Sequence, residues 1–175
     1  MCGIAGIIDF NSPGPDADTL HRMIGLMHHR GPDAAGIYLN GPAGLAHARL
    51  SIVDLSGGDQ PIYNEDRTIW VVYNGEIFNY PELRRELKDR GHRFYTQTDT
   101  EVLVHGYEEY GMDMLSRFNG QFAFALWDKN KETLVLGRDR VGIRPLFYHI
   151  KDGRLVFGSE IKAVFADPRI PRQID

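Results

Sequence analysis

The chain has 175 residues, of which 42% are hydrophobic and 25% charged, with a net charge of −4 and a single cysteine. That is enough chain to bury one sizeable core, while the mild acidity leaves no electrostatic footprint for nucleic acid and one thiol excludes an internal disulfide framework. The short apolar start lacks the basic flank of a signal peptide and no later run reaches membrane length, so the sequence reads as a soluble, cytoplasmic protein.

In chain order, "CGIAGIIDF" is a short, β-branched, buried strand. After the breaker "NSPGPDAD", Leu20, Met23, Ile24 and Met27 recur at helical spacing, which predicts an amphipathic helix over about 18–28. "GIYLNGPAGLAHARLSIV" reads as two strands around a Gly-Pro turn, and "TIWVVYNGEI" as a strand running into a polar turn. Pro81 opens a helix that Gly91 stops, with Leu83 and Leu87 on one face. A further helix over roughly 100–110 turns Leu103, Tyr107 and Tyr110 inward and ends at Gly111. From Gly120 the period changes to strands ("QFAFALWDK", "ETLVLGRD", "PLFYHI", "RLVFGSE"), followed by a short helix "EIKAVFAD" and the Pro-rich tail "PRIPRQID". Many strands on short turns, without regular βαβ alternation, predict antiparallel sheets with helices packed outside.

The cysteine is residue 2. With the initiator methionine removed, one residue carries a thiolate nucleophile and an α-amine whose pKa, about 7.7–8.0, suits a general base. An N-terminal amine activating its own side chain needs no histidine. On position alone a small buried apolar residue is an equally good reading. The seven histidines form no triad, and without a second cysteine or an HExxH spacing no metal site is expected. His28 and His29 are adjacent and His47 stands alone on a strand, so packing or surface roles suit them.

"MCGIAGI", "HHRGPDAAG", "HARLSIVDLSGGDQPI", "YNGEIFNYPELRREL", "TDTEVL" and "RDRVGIRPLFY" follow one another in an order that spans essentially the whole chain. Together they resemble the N-terminal glutaminase domain of glutamine-dependent asparagine synthetases, a class II, N-terminal-nucleophile (Ntn) glutamine amidotransferase. "HRGPD" is closer to that type than the "HRGQ" of phosphoribosylpyrophosphate amidotransferases. The resemblance implies an α+β, four-layer αββα sandwich of two antiparallel sheets, the Ntn-hydrolase fold.

It also implies the chemistry. Cys2 attacks the side-chain amide of L-glutamine, a thioester forms, ammonia leaves and water releases glutamate. By this resemblance the Asn74 side-chain amide and the Gly75 N–H are the oxyanion donors, Arg49 holds the substrate carboxylate, and Asp99 holds its ammonium with Glu76 nearby. The main chain of Leu50, Ile52 and Val53 lines the pocket. Asn supplies a neutral donor, Gly permits close backbone approach, and the guanidinium fork matches a carboxylate. Read without the resemblance, Asn74-Gly75 is a hairpin turn, Arg49 a surface residue and Asp99 a helix N-cap. Arg30 and Asp33 read as an internal ion pair ordering their loop, and Arg144 stands where lysine is common in the family.

The expected layout is a glutaminase domain over 1–166 and, over 167–175, the start of a linker to an absent synthetase domain. That domain would use ATP and Mg²⁺ to activate aspartate; no cofactor is expected in the present one. The alternatives are a relative that amidates another acceptor, an Ntn hydrolase with another substrate, and a non-catalytic domain that keeps the fold.

Overall fold

A computed structural model describes residues 1–11, 14–51, 54 and 57–172. The elements are β1 (Gly3–Asp9), α1 (Ala17–Gly25), β2 (Ala34–Asn40), β3 (Ala43–Arg49), β4 (Ile62–Tyr63), β5 (Ile69–Ile77), α2 (Tyr80–Asp89), α3 (Glu101–Tyr110), α4 (Met114–Arg117), β6 (Gly120–Asp128), β7 (Thr133–Arg138), β8 (Phe147–Lys151), β9 (Arg154–Gly158) and α5 (Ile161–Val164). They form a five-stranded sheet in the order β2-β3-β1-β9-β8 and a four-stranded sheet in the order β4-β5-β6-β7. Every pairing is antiparallel.

Strand β6 shows why the sheets stack. Phe122, Phe124 and Leu126 point one way, into a core shared with α2 and α3. Ala123, Ala125 and Trp127 point the other way, against Ile4, Ile8, Leu45 and Phe157 of the five-stranded sheet. On the far side of that sheet, Ala5 and Ile7 of β1 meet Leu20, Met23 and Met27 of the α1 region and Ala163 and Val164 of α5. The layers are therefore α, β, β, α, the expected α+β sandwich. Central strands covered on both faces explain why "CGIAGII" reads as a continuous apolar run.

Local differences from the sequence reading have local causes. Helix α1 begins one residue earlier, because the Asp16 carboxylate accepts the Thr19 N–H at 2.7 Å and caps it. It ends at Gly25, and Met27 is kept buried by a turn in which its N–H meets the Ile24 carbonyl at 2.9 Å. The two-residue β4 has too little pattern to be anticipated. The segment expected to become a linker at Asp167 stays packed as far as Ile170, which joins the outer core. Asp167 is buried and binds Arg154 Nε and Nη2 at 2.8 and 2.5 Å, and Arg154 also pairs with buried Asp9. Among the described residues no helix is long and apolar enough to cross a membrane.

Candidate active site

Cys2 sits at the entrance to β1, whose pairing with β3 sets Gly3 opposite Ala48. The thiol therefore faces Leu50, just beyond the end of β3, whose N–H lies 3.4 Å and whose carbonyl 3.6 Å from Sγ. The "HHRGPD" loop pins this terminus from outside. Arg30 Nε donates to the Cys2 carbonyl at 2.9 Å, and its Nη1 pairs with Glu160 at 3.2 Å. Gly31 allows the loop in so close that a Cβ there would lie 2.2 Å from the Ala48 carbonyl oxygen. The ion pair read between Arg30 and Asp33 does not form: Arg30 turns to Glu160, while Asp33 accepts the Ser51 N–H at 2.7 Å.

The opposite wall is the free edge of β5. Asn74 and Gly75 lie within that strand, so the hairpin-turn reading is set aside. Phe122, the partner of Gly75, uses its own N–H and carbonyl on Asp139, at 3.1 and 2.8 Å, on the side away from β5. Gly75 and Phe122 are thus a non-hydrogen-bonded pair, and the Gly75 N–H points off the opposite edge. Two-residue alternation puts the Tyr73 and Ile77 N–H groups on that edge too, and β4 is too short to reach them. Side chains take their place: the Gln60 amide accepts the Tyr73 N–H at 2.7 Å and donates to the Tyr73 carbonyl at 3.2 Å, and Asp99 accepts the Ile77 N–H at 2.9 Å. The Gly75 N–H between them is left facing the cleft. Glycine is required here because β6 crowds from behind; a Cβ would lie 2.3 Å from the Gln121 carbonyl oxygen. The close approach expected toward a ligand is in fact an approach to the neighbouring strand.

Asn74 is buried, and its Nδ2 has no hydrogen-bond partner among the described residues. An orphaned buried donor costs about 1–3 kcal/mol. Set in the wall of a cleft, it is a donor with the chemistry to receive developing negative charge.

Asp99 is not an N-cap; Thr100 precedes α3, and the Asp99 Oδ2 accepts from Tyr73 OH at 2.7 Å and from Ile77. Burial raises its pKa against those hydrogen bonds, with the Glu76 charge adding to the rise, so a cation arriving beside it would be welcomed. Burial and Asp99 together hold the Tyr73 hydroxyl protonated, as a donor. Glu76 itself is exposed and does not line the cleft.

Arg49 is buried, not on the surface; its Nη1 meets Asp59 at 2.8 Å and its Nη2 the Asp54 carbonyl at 2.6 Å. Cys2, Arg49, Leu50, Asn74, Gly75 and Asp99 all line one cleft of about 100 Å³. Ile52 and Val53, also expected there, lie outside the described residues. Larger cavities beside Arg154 and Phe118, of about 260 and 710 Å³, hold no thiol.

Sequence reasoning missed Gln60 and Tyr73, although both lie within the quoted motifs "HARLSIVDLSGGDQPI" and "YNGEIFNYPELRREL". Arg144 is drawn into the cleft as well, where its Nη1 donates to the sulfur of Met1 and its buried Nε has no partner among the described residues.

Residues 1–175 match the glutamine amidotransferase domain family. The chain is 46% identical to asparagine synthetase [glutamine-hydrolyzing] 2 of Bacillus subtilis, covering 100% of this chain and 24% of that protein. It is 44% identical to asparagine synthetase B [glutamine-hydrolyzing] of Escherichia coli, covering 94% and 30%. It thus spans about a quarter to under a third of the length of these relatives. The glutamine phosphoribosylpyrophosphate amidotransferase structure of B. subtilis superposes with a TM-score of 0.76 at 23% identity, over 94% of this chain and 43% of that one, and shares the fold.

Proposed function

Because the chain belongs to the glutamine amidotransferase domain family, we propose that it hydrolyses free L-glutamine to glutamate and ammonia through a Cys2 thioester. The observation that carries this reading is the cleft in which the thiol faces two unspent donors, Asn74 Nδ2 and the Gly75 N–H.

Cys2 Sγ adds to the amide carbon, and the oxyanion is received by those two donors. The thiol proton passes through the Cys2 α-amine to the amide nitrogen, which leaves as ammonia. Water, deprotonated by the same amine, then adds to the thioester and expels the thiolate. Arg49 takes the α-carboxylate and Asp99 the α-ammonium, so a free amino acid is chosen over a peptide-bound glutamine.

Met1 stands in the way of this chemistry twice. It converts the base into a peptide nitrogen, and it lines the cleft against Arg144. Its removal is therefore part of the proposal. We extend the proposal one step: the relatives are named asparagine synthetases, and the resemblance implies that the ammonia would serve a second, synthetase domain using ATP and Mg²⁺ to make asparagine from aspartate.

Intact mass before and after a thiol-reactive glutamine analogue tests the glutaminase reading. We expect loss of methionine and one adduct, mapped to Cys2. Folded, methionine-free protein that takes up no adduct and releases no ammonia from glutamine would overturn it.

A further inference from the structure

Away from the cleft, Glu65, His92, His105 and Glu108 each present one ligand atom, all within 4.8 Å of one another. Three separate stretches supply them: Glu65 from the turn between β4 and β5, His92 from the connection after α2, and His105 with Glu108 from one turn of α3. His105 Nδ1 lies 3.1 Å from Glu108 Oε2 and 3.5 Å from Glu65 Oε2. His92 Nδ1 lies 3.6 Å from the same Glu108 oxygen and 3.9 Å from Glu65 Oε1. A tetrahedral ion with bonds of about 2.0–2.1 Å needs its ligand atoms about 3.4 Å apart. The His–Glu separations of 3.1–3.6 Å to His105 Nδ1 and Glu108 Oε2 bracket that spacing, and the whole set lies within 4.8 Å.

Carboxylates also back the far sides of the two rings. His105 Nε2 lies 3.5 Å from Glu101 Oε1, and His92 Nε2 lies 3.4 Å from Glu109 Oε2. A neutral imidazole that gives its one proton outward to a carboxylate turns the lone pair of the other nitrogen inward, the arrangement that fixes histidine as a metal ligand. The supports are themselves held. Glu101 is fully buried and accepts the Tyr95 and Thr96 N–H groups at 2.7 and 2.8 Å, and Glu109 pairs with Arg90 at 2.6 Å. The second oxygen of Glu108 accepts from Asn64 Nδ2 at 2.8 Å, and Glu65 Oε1 accepts the Arg93 N–H at 2.7 Å. Four carboxylates thus surround two imidazoles, with Arg90 on the outermost, a negative excess that a dication would reduce.

We propose that Glu65, His92, His105 and Glu108 form a structural divalent-cation site of the zinc class, closed by two imidazole Nδ1 atoms and one oxygen from each glutamate. Four protein ligands leave no open position, so the ion ties segments together and activates no water. The segments it ties are the turn leading into β5, which carries Asn74 and Gly75, and α3, which follows Asp99. Neither HExxH nor paired cysteines announce this site, because three distant stretches supply its ligands.

The test uses chelator-stripped protein carrying Cys2→Ser, which removes the competing thiol, titrated with Zn²⁺ against a chromophoric chelator. We expect one Zn²⁺ per chain and a Tm raised by on the order of 5 °C or more at a hundredfold excess over Kd. Glu65→Gln, at an exposed turn, and His92→Gln, each with circular dichroism confirming the retained fold, should abolish the shift. Glu109→Gln, acting through His92, should weaken binding by about 10–100-fold. Co²⁺ in place of Zn²⁺ should give the intense visible absorption of a tetrahedral site. Failure of the Cys2→Ser protein to bind Zn²⁺ saturably, or equal binding by both Glu65→Gln and His92→Gln, would overturn the proposal.

Discussion

Asn74 illustrates how much of the chemistry rests on one unsatisfied atom. Its Nδ2 is buried without a partner, a cost the fold carries and an oxyanion would repay. Asn74→Ala should therefore lower kcat by about 10²–10³-fold while leaving the glutamine KM little changed, since the proposal assigns the other end of the substrate to Arg49 and Asp99. A steady-state comparison of kcat and KM checks this; a loss confined to KM would make Asn74 a binding residue. The same Ala change should not destabilise the protein, because it removes an orphaned donor. The resemblance picked out Asn74, Gly75, Cys2, Arg49 and Asp99, which the structure sets around one cleft, although residue type alone read Asn74-Gly75 as a turn, Arg49 as a surface residue and Asp99 as an N-cap. Gln60 and Tyr73 were not picked out: Gln60 acts by imitating a missing strand, and nothing in its type says which main chain it will meet. Arg144 was legible as a charge, but its place in the cleft depends on a loop held by Asp139, which accepts the Ile143 and Arg144 N–H groups at 2.9 and 3.0 Å.

At the scale of elements, the two sheets are joined by a polar stitch as well as by apolar packing. His47 on β3 reaches across to the Tyr73 carbonyl of β5 at 3.1 Å and is fully buried. Burial, with the nearby Arg49 charge, lowers its pKa to about 3 although the hydrogen bond to Tyr73 opposes the shift. Unfolded, the same side chain takes up a proton below about 6.5. Between those values the unfolded state binds more protons than the folded one, so stability falls as pH falls, by on the order of 4 kcal/mol for this residue by pH 3. His47→Gln keeps a donor for Tyr73 and removes the titration. Its urea midpoint should decline less steeply than the wild type's between pH 6.5 and 4, and parallel curves would show that His47 does not titrate in this window. The sequence reading left His47 to a packing or surface role; burial settles that in favour of packing, and the reading was silent about the partner. The elements themselves were legible where period and punctuation agree, as in β6 and at Pro81 of α2. They were less so for the two-residue β4 and the four-residue α4, which have no period to show.

For the whole molecule, the site is divided between the sheets: Cys2 and Arg49 ride on the five-stranded sheet, and Asn74 and Gly75 on the four-stranded one. Catalysis thus depends on how the two sheets are seated, and Phe157 helps to set that. Its ring lies in the inter-sheet core against Gly6, where a Cβ would come within 2.4 Å of it. Leu20, equally buried, packs instead between α1 and the outer face of the five-stranded sheet. Phe157→Ala and Leu20→Ala should each cost about 2–5 kcal/mol through lost burial and a cavity. Only the first opens space between the two halves of the site. A displacement of about 1 Å between nucleophile and oxyanion donors is worth up to about 100-fold in rate. At a temperature where both variants are fully folded, Phe157→Ala should therefore lose kcat well beyond Leu20→Ala at a comparable shift in Tm. Equal kcat in the two variants would mean that the β1–β3 and β5 edges are held in place by the polar contacts around Cys2, His47 and Tyr73 alone.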